Sequence, residues 1–205
     1  VLSGFNPREE IEVGEEIEMT PMLITKGLTD AGFLGNKLFG RIMMKEPHFG
    51  SGVHYKANQV KVIYGLEPIF ESGATCIIKV QKCISYGTKK ENSLIARNHD
   101  ITMQACKLQN TAREYSKIFA AETRAVETFG PVPEVIPLYL LYRPANNIPY
   151  ATIEKDLNGQ FTRYSMEDKG KNLSESEIGQ KCHTFQHWIY QWTNGNLLIT
   201  DLQGM

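Results

Sequence analysis

One long stretch with helical periodicity separates two groups of strand-like segments, and that order restricts the fold more than any other feature of the chain. Between Arg97 and Gly130 the residues Ile101, Ala105, Leu108, Ala112, Tyr115 and Phe119 recur at spacings of three and four. This is one stripe of a helix. Asn98 or Asp100 is suited to cap its start, and Gly130-Pro131 to end it. Upstream, Val60, Val62, Tyr64 and Leu66 alternate with Lys61, "EPIFESGAT" reads as a turn, and "TCIIKVQK" reads as a second strand. The pair makes an antiparallel hairpin. Downstream, Val135–Arg143 and Tyr150–Leu157 read as strands. A second helix follows, with Ser174 and Glu177 at capping-box spacing and a buried stripe of Ile178, Cys182, Phe185, Ile189 and Trp192. "NLLITDLQG" reads as a last strand. Strands, helix, strands, helix and strand predict an α+β fold rather than a regular βαβ repeat. The acidic opening, "REEIEVGEEIEM", reads as a solvated linker with one edge strand.

Length and composition exclude some classes of function. The 205 residues suffice for one sizeable domain or two small lobes. Lys and Arg number 22 against 23 Asp and Glu, a net charge of −1, which gives no support for a nucleic-acid partner or an anionic membrane surface. No apolar run is long enough for membrane insertion. The cysteines, Cys76, Cys83, Cys106 and Cys182, form no CxxC pair and read as reduced thiols of an intracellular protein. The first residue is Val rather than Met, which suggests a longer parent chain.

Several residues are candidates for chemistry. Lys79 lies in "CIIKV", among apolar neighbours. It either reaches outward to water from a one-sided sheet or meets a negative partner such as a phosphate. Gly50 and Gly52 in "HFGSGVHYK" make an ordinary turn or let backbone N–H groups approach an anion. Glu154 is a surface acid at a strand end or a hinge residue that reads a base edge. His183 and His187, four apart, project from the same side of a helix and suit a metal, although no HExxH glutamate lies between them. Asp201 and Gln203 share one face of the last strand, and their oxygens are hard ligands of the kind Mg²⁺ prefers.

Three separated blocks resemble the alpha-kinase family of atypical protein kinases: "GLEPIFESGATCIIKVQ", "YRPANNIPYATIE" and "GQKCHTFQHWIYQWTNGNLLITDLQG". They look most like the muscle-type members that carry immunoglobulin-like domains. The resemblance covers about residues 38 to 205. It implies a two-lobed, protein-kinase-like fold with ATP in the cleft, acting on serine or threonine of a protein substrate. By that resemblance residues 1–35 are an extension or linker and 36–205 the kinase domain, divided into an N-lobe at 36–150 and a hinge with a partial C-lobe at 151–205. Lys79 would hold the ATP phosphates, Gly50 and Gly52 would cover them, and Glu154 would be the hinge acid. Asp201 and Gln203 would bind Mg²⁺ or orient the phosphoryl group, and His187, not His183, would ligate a structural zinc.

The match also has departures. Tyr55, after Val53 and His54, stands where active members carry an arginine in the glycine loop. A further aspartate and the remaining zinc ligands, one His and two Cys, are expected beyond Met205. The chain is therefore expected to be the front part of a catalytic domain with little activity of its own. Two rival readings are a pseudokinase that serves as a binding scaffold, favoured by Tyr55, and a metal-dependent hydrolase using His183 and His187.

Overall fold

The computed structural model describes residues 14–24, 33–82, 91–164 and 176–205. They form two compact units, one of residues up to Asn110 together with Ile136–Asp156, the other of Thr111–Val135 and Leu157–Met205. The parting does not fall at residue 150. The strand that starts there completes the first unit's sheet, and residues 111–135 associate with the C-terminal segment.

The first unit is built on seven strands: β1 (Glu15–Leu23), β2 (Phe33–Leu34), β3 (Leu38–Ser51), β4 (Tyr55–Tyr64), β5 (Thr75–Gln81), β6 (Tyr139–Tyr142) and β7 (Tyr150–Lys155). They pair in the order β2-β1-β3-β4-β5-β7-β6, and β1 also pairs with β6. Six strands therefore close on themselves. The expected hairpin is present as β4 and β5, in register from Tyr55 opposite Gln81 to Lys61 opposite Thr75. Alternation drives this arrangement. Val60 and Val62 of β4, Cys76 and Ile78 of β5, and Ala151 and Ile153 of β7 turn inward to meet Ile17, Met19, Ile42 and Leu141. Each buried Val, Ile, Leu or Met side chain among these contributes about 1.5–3 kcal/mol.

The acidic opening is no edge strand. Ile17 and Met19 are buried in the core, and β1 pairs with β2, β3 and β6. Its acids find bases brought by the sheet: Glu15 with Arg143 at 2.6 Å, Glu16 with Arg41 at 3.3 Å and Glu18 with Lys37 at 3.4 Å.

Helix α1 (Glu91–Thr123) starts earlier and ends earlier than its pattern indicates. The first unit includes its residues to Asn110. Asn98 is not a cap. It lies within the helix, fully buried, and its amide bonds both backbone groups of Tyr150, the C=O at 3.0 Å and the N–H at 2.7 Å. Asn110 treats Leu138 in the same way, at 3.0 and 2.9 Å. The buried positions step by four through Asn98, Thr102, Cys106 and Asn110, whereas Leu108 of the expected stripe is 69% exposed. Residues 136–138 are consequently held by helix side chains, and the strand expected from Val135 begins only at Tyr139.

In the second unit, helix α2 (Glu177–Trp192) begins at a Ser176 cap whose hydroxyl accepts from the Gly179 N–H at 3.0 Å. Ser174 lies outside the described residues. Cys182, Phe185 and Ile189 are buried as expected, but Ile178 and Trp192 are half exposed. Phe119 packs on Phe185 and Trp188, with ring centroids 5.2 and 5.3 Å away. "NLLITDLQG" is not a strand over its length. Only β9 (Gln203–Gly204) pairs, with β8 (Thr162–Arg163). Leu197 and Ile199 take side-chain partners instead: the Leu197 N–H donates to Thr193 Oγ1 at 3.0 Å, and Gln186 donates to the Ile199 carbonyl at 2.8 Å. Among the described residues no helix is long and apolar enough to cross a membrane.

Candidate functional site

Lys79 lies mid-strand in β5, opposite Ala57 of β4 and Thr152 of β7. Its predecessor Ile78 points into the core, so Lys79 takes the other face. Glu154 is opposite Ile77 on β7, diagonal to the lysine on that same face. Its carboxylate lies 2.7 Å from the Lys79 ammonium, and the two side chains are only 11% and 23% exposed. The lysine has thus found a negative partner rather than reaching outward to water. The ammonium also lies over the Tyr55 ring, 4.8 Å from its centroid.

Gly50 and Gly52 sit where β3 turns into β4. Gly50 is paired with Ala57, and its Cα faces open room, with the nearest atom to a Cβ at 3.9 Å. Gly52 has no such room, because a Cβ there would come within 2.8 Å of the Tyr55 ring. The Gly52 N–H donates to the Tyr55 carbonyl at 3.0 Å. A further lysine, unremarked in the sequence, secures this turn. Lys82 Nζ donates to Ser51 Oγ and to the Gly52 carbonyl, both at 2.7 Å, and its backbone N–H donates to His54 O at 2.7 Å. Lys82 follows β5 without any motif, so the ladder alone reveals its role. Lys79, Glu154, Tyr55, Gly50 and Gly52 therefore come together in the first unit.

Asp201 and Gln203 come together in the second. Asp201 precedes β9 rather than lying in a strand, and the Gln203 amide N–H donates to its carboxylate. Arg163 on β8 grips the same carboxylate, with Nε 3.2 Å from Oδ1. Because Arg163 is opposite Gln203 in the short ladder, its approach to Asp201 depends on pairing between distant segments, which no local pattern signals.

His183 and His187 lie four apart on α2, and His187 is exposed. Among the described residues no three of His, Cys, Asp and Glu group so as to hold a metal ion. The residues described do not fit a closed zinc centre, which needs four ligands, nor the three-ligand site of a zinc hydrolase. Among the described residues, which do not include Cys83, thiolate chemistry is also disfavoured. Burial pushes the Cys76 thiol up to about 12, with the Asp156 charge adding to it, and burial does the same to Cys106. Cys182 is raised by burial as well. All three thiols are free, and none is poised as a thiolate nucleophile.

Residues 50–205 match the alpha-kinase family. The whole chain is 60% identical to Alpha-protein kinase 3 of Mus musculus and 46% identical to Alpha-protein kinase 2 of the same species. It spans 12% and 10% of their lengths. Over 96% of the chain it is 26% identical to human Transient receptor potential cation channel subfamily M member 6, of which it spans 10%. The crystal structure of the alpha-kinase domain of myosin heavy chain kinase A in complex with AMP superimposes with a TM-score of 0.63 at 14% identity, over 94% of this chain and 81% of that one. At that identity the likeness is one of fold. The apoenzyme of the same domain gives 0.61, over 95% of this chain and 80% of that one. The chain belongs to the alpha-kinase family.

Proposed function

We propose that this chain forms part of an ATP-dependent protein kinase domain, transferring the terminal phosphoryl group of ATP to serine or threonine of a protein substrate. The observation that carries the reading is the Lys79–Glu154 pair, an ammonium held 2.7 Å from a nearly buried carboxylate beside a glycine turn. Phosphoryl transfer asks chiefly for positioned positive charge, since charge spreads over the phosphoryl oxygens in the transition state. Lys79 supplies that charge, and Glu154 fixes its direction. Gly50 leaves the backbone unshielded beside the phosphates, whereas Gly52 lies against the Tyr55 ring and gives its N–H to the Tyr55 carbonyl. In the second unit the carboxylate of Asp201 and the amide oxygen of Gln203 are the hard donors that suit Mg²⁺, which when bound neutralises phosphate oxygens. Arg163 holds Asp201 in a defined orientation meanwhile.

Two of the relatives named above, Alpha-protein kinase 3 and Alpha-protein kinase 2, are protein kinases by name, and the myosin heavy chain kinase A domain has been crystallised with AMP, AMPPCP and ATP. Both facts favour an adenine nucleotide as ligand. A structural zinc on His187 needs ligands from outside the described residues, and no step depends on it. An intracellular setting, in a longer chain with immunoglobulin-like domains, belongs to the same reading. It is motivated by the free buried thiols and by the resemblance to muscle-type members.

The test is calorimetric titration of Mg·ATP into the chain, followed by phosphotransfer from γ-labelled ATP to a basic protein. Saturable binding is expected, weakened at least tenfold by Lys79→Ala. The double variant Lys79→Ala/Glu154→Gln, which strands no buried carboxylate, separates a folding defect from a binding defect. A folded parent that binds no Mg·ATP ends the reading. Binding with little transfer is the outcome expected of a partial catalytic domain, and robust transfer abolished by Lys79→Ala would show that this chain is active by itself.

A further inference from the structure

We infer that Tyr55 itself occupies the phosphate subsite of the first unit and sets how tightly a nucleotide's phosphates bind there. The inference rests on the reading of Lys79 and the glycine turn as that subsite. Two groups here are able to receive an anion, the Gly52 N–H of the turn and the Lys79 ammonium of β5, and Tyr55 engages both with different parts of itself. Its carbonyl takes the Gly52 N–H at 3.0 Å. Its ring takes the Lys79 ammonium, which lies 4.8 Å from the centroid. An aromatic face carries negative potential, so the ring offers the ammonium what a phosphate oxygen would offer.

The ring also fills the space between these donors. A Cβ on Gly52 would meet two of its carbons at 2.8 and 2.9 Å, so nothing further fits between the turn and the ring. The contact follows from the ladder. Tyr55 is opposite Gln81, and Ala57 is opposite Lys79, so Tyr55 and Lys79 are diagonal neighbours on one face. Ser51 and Lys82 hold the turn from its other side, through the 2.7 Å bonds of the Lys82 ammonium to Ser51 Oγ and the Gly52 carbonyl. The turn is therefore pinned with the ring against Lys79, and a phosphate reaches the ammonium by displacing the ring. Glu154 remains a partner of Lys79 throughout, since an ammonium has three N–H groups to distribute.

The experiment compares Mg·ATP with adenosine, which has no phosphates, by calorimetry on the parent chain and on Tyr55→Phe, Tyr55→Ala and Tyr55→Leu. Tyr55→Ala is expected to bind Mg·ATP about five- to thirtyfold more tightly, the equivalent of losing a cation–π contact of about 1–2 kcal/mol. Tyr55→Phe keeps the ring face and is expected to stay within about twofold of the parent. Adenosine affinity stays unchanged in all four proteins. Tyr55→Leu retains bulk without a π face and is expected to tighten Mg·ATP binding by an intermediate factor. It decides the matter if Tyr55→Ala fails to fold. Equal or weaker Mg·ATP binding by the folded Ala or Leu variant overturns the inference, and if Lys79→Ala still abolishes binding the kinase reading stands. A parent and variants that bind neither Mg·ATP nor adenosine overturn both.

Discussion

Asn110→Ala should be among the more damaging single changes in the first unit, although it removes only a small polar side chain. The Asn110 amide donates to the Leu138 carbonyl at 3.0 Å and accepts from the Leu138 N–H at 2.9 Å. Both residues are 5% exposed. Leu138 sits in a cluster with Met22, Cys106 and Leu140, so water has little access to the groups left behind. Two net hydrogen bonds are worth about 1 kcal/mol each, and each stranded buried group adds up to about 1–3 kcal/mol. The expected loss is about 2–4 kcal/mol. With a urea dependence of about 2 kcal/mol per molar, the midpoint should fall by about 1–2 M. Far-UV circular dichroism follows the sheet and helices together. Tryptophan fluorescence reports the second unit, which contains both Trp188 and Trp192. Amide exchange at Leu138 should accelerate in step with the lost stability. Asn110→Asp keeps the acceptor but sets a carboxylate against the Leu138 carbonyl. It should be no better than alanine at neutral pH and milder in acid, where the protonated form can donate. A midpoint shift worth less than about 0.5 kcal/mol, with Leu138 exchange unchanged, would refute the reasoning.

Two further outcomes follow from the same structure. Lys82→Met removes two bonds to the glycine turn and should speed amide exchange at Gly52 severalfold, at a stability loss of about 1 kcal/mol or less because the pair is partly exposed; unchanged exchange at Gly52 would show that the turn does not need the ammonium. The Cys76 and Cys106 thiols are raised by burial to about 12 from their ordinary 9.0, so the unfolded chain releases these protons first as pH rises. Their contribution to stability is therefore fully present below about pH 9 and declines between there and 12, and Cys106→Ala should flatten that decline in denaturation midpoints measured against pH.

What could be read from the sequence divides along physical lines. The β4–β5 hairpin was legible because period-two alternation and burial of one sheet face are the same fact. Lys79 stood out as a charge inside that pattern, and Glu154 as an acid inside another, but their partnership depends on β5 lying beside β7, which no local spacing encodes. Helix α1 was legible as a helix but not by its buried face. The side chains it buries are largely polar, because Asn98 and Asn110 serve the backbone of Tyr150 and Leu138. In the C-terminal segment the alternation was real, with Leu197 and Ile199 packed inward and Leu198 59% exposed. It signalled burial without a ladder, because Thr193 and Gln186 side chains provide the backbone partners there. The acidic opening misled for a related reason: its glutamates are solvated in the sequence's own terms, and the bases that meet them come from distant strands.

The placement of β1 has a practical corollary for anyone trimming this protein. The family pattern starts at residue 50, but Glu15–Leu23 lies between β3 and β6 and joins the two ends of the ring. A fragment cut to the pattern would resemble a cask missing its staves, with raw edges along β4 and β6 ready to pair with other copies. Expression plasmids for this domain should therefore begin upstream of Glu15, and precipitation of shorter versions would reflect the cut rather than the kinase fold.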